Sequence, residues 1–162
     1  MRLTSQEEYG LRCLLQVARA SSLNRTISIR EVAGAEGLGV EYTAKMLAVL
    51  RKAELVESRR GAHGGYRLSG RPEEVTVWDV LEVLDRAPFN EDFCEGHGGQ
   101  RTTCVHSGMG CSVRVLWRWV SGALRAALER VTLADLLAGS GPVVGALSGL
   151  KPELVVAEGG GL

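Results

Sequence analysis

Residues 40–68 read VEYTAKMLAVLRKAELVESRRGAHGGYRL, and this stretch decides the fold. Thr43, Met46, Leu47 and Leu50 recur at i, i+3, i+4 and i+7, which predicts one apolar helical stripe. Glu41, Lys45, Arg51 and Lys52 occupy the opposite face. After Ala53 the pattern changes, and Leu55 to Arg59 reads as a strand. Gly61, Gly64 and Gly65 suit a tight turn, and Tyr66-Arg67-Leu68 returns as a second strand. Helix and hairpin together form a wing, with Arg59, Arg60, His63 and Arg67 gathered around its turn. Such a cluster suits phosphates or a narrow minor groove.

Upstream, Ser28-Ile29-Arg30-Glu31 is a capping box, in which the serine caps the helix and the glutamate reaches back. The helix it starts passes through Val32 and Ala33 and stops near Gly37. Gly37-Leu38-Gly39 is a short turn into the Val40 helix. Two short helices across a glycine turn are a helix-turn-helix, whose second helix enters the major groove. Tyr42, Thr43 and Lys45, near the start of that helix, are expected to face outward toward bases. Ser28 and Arg51 join the residues expected to contact DNA, and Arg59, Arg60, His63 and Arg67 are expected at phosphate or minor groove.

SIREVA, EYTAKMLAVLRKAELVESRRG and GGYRL, with three later cysteines, resemble the IscR/NsrR-type winged-helix regulators. These are bacterial repressors that sense iron–sulfur status, nitric oxide or redox state. The resemblance covers roughly residues 1–138. It implies a mainly α fold: a winged helix-turn-helix DNA-binding domain followed by a long C-terminal dimerisation helix.

The charge distribution agrees. Residues 1–72 hold 12 Lys and Arg against 7 Asp and Glu, whereas residues 73–162 hold 7 against 12. A chain that is neutral overall therefore concentrates positive charge where an anionic partner is expected. The 162 residues are 45% apolar, enough for an ordinary core. No apolar run is long enough to span a bilayer, and no signal peptide is evident, so the reading is cytoplasmic with no membrane partner. Four cysteines in that setting point to metal or redox chemistry rather than disulfides.

Elsewhere, Thr4 is the expected cap of a first helix, with Glu7 at N3 and Leu11, Leu14, Leu15 and Ala18 at helical spacing. Cys13 within it reads as a small core residue. Residues 19–27 read as a polar connection, with Ile27 as a short strand. Thr76 and Asp79 open a further helix striped by Val77, Val80, Leu81 and Leu84. Ser112 to Val131 predicts a long helix with two apolar stripes, one carrying Val113, Leu116, Val120 and Leu124 and the other Val115 and Trp119. Such breadth calls for two partners, the chain's own domain and the same helix of a second subunit. A short Thr132-capped helix follows. The divisions are 1–72 for the DNA-binding domain, 73–93 for a connecting helix and 94–111 for a cysteine-rich loop. Residues 112–138 are dimerisation and terminal helices, and 139–162 a flexible tail with one short docked segment.

Residues 89–111 lack any period and hold Cys94, His97, Cys104, His106 and Cys111 among glycines. Glycines let a loop wrap an inorganic centre with its amides near the sulfurs. Iron–sulfur clusters take cysteine thiolates, with occasional histidine or carboxylate ligands. A structural zinc site and a metal-free thiol sensor are the alternatives; the absence of a C-x-x-C pair counts against zinc. The resemblance places cluster ligands in this stretch and so implies an iron–sulfur cluster on Cys94, Cys104 and Cys111. The spacing Cys94-x9-Cys104-x6-Cys111 leaves 2Fe–2S and 4Fe–4S both open. A fourth ligand could come from His97, His106 or Glu8; the resemblance favours Glu8 of a second subunit, with His97 as the alternative. An enzyme built on Cys and His is disfavoured, because no oxyanion framework accompanies them. The expected function is a homodimeric repressor on a palindromic double-stranded operator, controlled by its cluster, or by thiols or zinc without one.

Overall fold

The computed structural model describes residues 4–61, 64–84 and 111–148. Helix α1 (Ser5–Ser22) is central: it packs against α2 (Ile29–Glu36), α3 (Val40–Lys52), α4 (Val77–Leu84), α6 (Leu133–Ala138) and the hairpin. Its buried side is lined by Cys13, Leu14, Val17, Ala18 and Ala20. The predicted polar connection starts later than residue 19, because α1 continues to Ser22. Ser21 explains the extension: its hydroxyl donates to the Val17 carbonyl and accepts from the Leu68 amide at 2.8 Å, tying the helix end to the hairpin.

The caps form as expected. Thr4 with Glu7, Ser28 with Glu31, and Thr132 with Asp135 are reciprocal capping boxes. Asp79 accepts from the Thr76 amide at 2.9 Å at the start of α4. Each such cap contributes about 1 kcal/mol. Gly37 closes α2 in the left-handed region, at φ +65°, which turns the chain into α3.

Strands β1 (Val56–Arg59) and β2 (Gly65–Leu68) pair antiparallel, with Val56 opposite Leu68 and Arg59 opposite Gly65. Ile27 joins the sheet through a bridge to Tyr66. Gly65 is required there, since a Cβ would lie 2.6 Å from the Ile27 carbonyl oxygen.

Helix α5 (Ser112–Leu128) ends before Val131, short of the predicted helix end. Val131 is instead buried, and its carbonyl accepts from the Val77 amide at 2.8 Å, which turns the chain back onto α4. Arg125 of α5 lies over the Trp78 ring of α4, 5.5 Å from its centroid. No residue of α5 is buried, and Val113, Val115, Leu116 and Trp119 are exposed.

Within the tail expected at 139–162, the short docked segment is helical. Ser140–Leu147 forms helix α7. Its Val143 and Ala146 pack on the cluster of Val77, Leu81 and Val131, and the Arg130 Nε donates to the Ala146 carbonyl at 2.9 Å. Two glycines make a helix this short weak on propensity alone, so the packing of Val143 and Ala146 and the Arg130 bond must hold it. Residues 149–162 lie outside the described residues.

Candidate nucleic-acid interface

The starts of α2 and α3 and the flank of the hairpin meet around one open cleft. Ser28, Arg30, Val40, Ser58, Arg59 and Tyr66 line it. Ser28 caps α2 there, accepting from the Glu31 amide at 3.3 Å, while the Glu31 carboxylate accepts from the Ser28 amide at 2.8 Å. These bonds, backbone first, hold the Glu31 carboxyl below its ordinary range, with Arg25 adding to the effect. Helix α3 starts at Gly39 without a side-chain cap, so its first amides are open to a ligand.

On α3 the apolar stripe is as predicted: Thr43, Met46, Leu47 and Leu50 are all buried. The same placement corrects one expected base contact. Thr43 is 0% exposed, and its hydroxyl donates to the Gly39 carbonyl at 3.0 Å. A residue three positions before Met46 and four before Leu47 shares their face and cannot also look outward. Lys45 and Arg51 do lie on the exposed side. Tyr42 is half-buried, with its ring edge-on to Tyr9 at 6.1 Å between centroids.

On the hairpin, Arg59 and Arg60 are exposed and Arg67 half-buried. Strand alternation and register place Glu57, Arg59 and Arg67 on one sheet face. The Glu57 Oε1 lies 3.2 Å from Arg67 Nε and 3.6 Å from Arg59 Nε. Sequence reading grouped the arginines and passed over Glu57 and Arg30. The period of two along β1 was the signal that could have exposed the first. Arg30, two positions into a capped helix beside the turn, was the signal for the second. His63 lies outside the described residues.

Of the expected cluster ligands, Cys94, His97 and Cys104 lie outside the described residues, as does His106. Cys111 stands at the start of α5, a half-exposed free thiol. Glu8 is partly exposed on α1 and paired with Arg12 at 2.6 Å. Cys13 is a core thiol, as read: burial, then Glu36, pushes it up to about 11, which makes it a poor thiolate. Among the described residues no three His, Cys, Asp or Glu side chains come together as a metal site. No helix among them is long and apolar enough to cross a membrane.

The family profile described as Rrf2, iron-dependent transcriptional regulator, matches residues 3–139. Protein rrf2 of Nitratidesulfovibrio vulgaris is 35% identical over 139 residues, spanning 85% of this chain and 87% of that protein. Among solved structures, T. potens IscR is similar at a TM-score of 0.67 with 29% identity, covering 85% of this chain and 87% of its own. CymR (YrzC), the global cysteine regulator of B. subtilis, is similar at a TM-score of 0.68 with 26% identity, covering 85% and 97%.

Proposed function

Because the chain belongs to the Rrf2 family of transcriptional regulators, we propose that it is a homodimeric repressor whose hold on a palindromic operator is set by an iron–sulfur cluster. As a member of that family it is a DNA-binding regulator of transcription rather than an enzyme. The observation that carries the DNA-binding reading is the cleft in which α2, α3 and an arginine-bearing hairpin meet. In this reading Lys45 and Tyr42 reach bases from α3. Ser28, Arg30 and Arg51 meet the backbone beside it. Arg59, Arg60, His63 and Arg67 follow phosphate or the minor groove.

The exposed Val113, Val115, Leu116 and Trp119 on α5 support a two-fold dimer. Such a dimer would set two recognition helices one DNA turn or a multiple apart.

The donor set suits a cluster: three cysteines from one stretch, with Glu8 of a second subunit as fourth ligand or His97 in its place. The cluster, of 2Fe–2S or 4Fe–4S type, would supply a centre sensitive to iron, nitric oxide or oxidant. Cys111 would act as the thiolate joining that centre to the start of α5. Glu8 would have to release Arg12, an exposed partner worth little to stability.

A second reading is control by cysteine thiols without a cluster. The half-exposed thiol of Cys111 favours it.

Anaerobic purification decides between them. Brown protein with visible absorption, lost in Cys94→Ser, Cys104→Ser and Cys111→Ser, is the expected result. Colourless protein whose DNA retention still responds to thiol oxidation would replace the cluster with the second reading. Light scattering should give a dimer for the wild type and a monomer for Leu116→Arg. A wild-type monomer at micromolar concentration would remove the dimer from the proposal.

A further inference from the structure

We propose that Glu57 is a positioning residue for DNA recognition: it holds the guanidinium groups of Arg59 and Arg67 so that their terminal amino groups are presented to the duplex. This rests on the reading of the chain as a DNA-binding regulator. Glu57 and Arg67 are direct cross-strand partners, and Arg59 is two residues along the same strand, so all three side chains leave one face. Gly65, opposite Arg59, contributes no side chain. A single carboxylate oxygen serves both arginines, and the closest approach in each case is through Nε. Nε is the guanidinium nitrogen nearest the stem. With that edge engaged, the two amino groups at the far end of each fork remain for bidentate contact with phosphate or base-edge acceptors.

Two neighbouring cations would otherwise repel and sample many rotamers, and binding would have to freeze them. Glu57 supplies that order in advance. Its own negative charge also repels phosphate, which lowers affinity for every duplex alike. The expected outcome is discrimination gained at the expense of general affinity. Arg60 is the contrast: no ion pair joins it to another described residue, which suits an indiscriminate phosphate contact.

The test is fluorescence anisotropy on the full chain with two probes. One is a duplex recovered from a random pool by the wild type; the other is a shuffled duplex of equal length. Glu57→Ala should lower the ratio of affinities about fivefold, the worth of two exposed ion pairs. Glu57→Asp, which keeps the carboxylate on which both ion pairs depend, should hold the ratio within about twofold. Glu57→Ala should also bind the shuffled duplex more tightly than wild type, having lost a negative charge, whereas Glu57→Asp should bind it as wild type does. Positioning is overturned if the two variants share one ratio, or if Glu57→Ala keeps the wild-type ratio. A wild type that retains neither duplex overturns the regulator reading itself.

Discussion

Gly10 of α1 lies directly against Leu84 of α4, and its replacement makes a sharp test of that packing. A Cβ at this position would lie 2.3 Å from Leu84 Cδ2 and 2.5 Å from Cδ1. Leu84 is 2% exposed and has little room to retreat, and the Gln6 amide donates to its backbone carbonyl. Two effects oppose each other in Gly10→Ala. Alanine is better than glycine in a helix interior by about 1 kcal/mol. Overpacking a filled core costs roughly 1–3 kcal/mol. The net expectation is a loss of about 1 kcal/mol. In a Leu84→Ala background, which alone costs about 3 kcal/mol, the clashing atoms are gone. There Gly10→Ala should stabilise by about 1 kcal/mol, so the sign reverses and the coupling is about 2 kcal/mol. Urea unfolding followed by circular dichroism at one protein concentration measures all four corners of the cycle. Effects additive within about 0.5 kcal/mol, or a wild-type background stabilised by Gly10→Ala, would refute the close packing of these helices.

Three further expectations follow from particular contacts. Arg60→Ala should weaken binding to all duplexes alike and lower the salt slope by about 1, and an unchanged slope in a salt titration would count against a phosphate contact. Thr43→Val should cost about 1 kcal/mol through the lost bond to Gly39 and leave sequence preference untouched, whereas Lys45→Ala should alter binding; a changed preference in Thr43→Val, read by competition between duplexes, would contradict its burial. The Thr132 amide and hydroxyl donate to Asp135 at 2.9 and 2.7 Å and hold its carboxyl below the ordinary range. A depressed folded pKa stabilises fully above the unfolded value near about pH 3.9 and is lost as pH falls through the folded value. Asp135→Asn should therefore be less stable than wild type at neutral pH and converge on it in acid, and parallel stability profiles across that range would rule this out.

Local signals were legible where they compete with little else. The capping residues at Thr4, Ser28, Thr76 and Thr132 all cap as read, because a cap depends on residues within one turn. The stripes of α3 and α4 point inward for the same reason. The winged fold followed from their order along the chain. Thr43 was misread because residue type suggested a polar contact while helical period already committed the position to the core. The cysteine stretch was read from composition alone, and of its thiols only Cys111 stands among the described residues.

What needed the tertiary structure were contacts between segments distant in sequence. Residues 140–147 carry glycine, proline and no amphipathic signal, yet form α7 because α4, α6 and Val131 present an apolar surface to Val143 and Ala146. Leu84 dictates glycine at position 10 from 74 residues away, through packing that no local pattern encodes. The pairing of Glu57 with Arg67 depends on hairpin register, and a slip of one residue would have sent the two side chains to opposite faces. Periodicity and capping act within a turn or a strand and are written in order along the chain. Register, close approach and docking depend on how the elements come to rest against one another, and only the folded chain decides them.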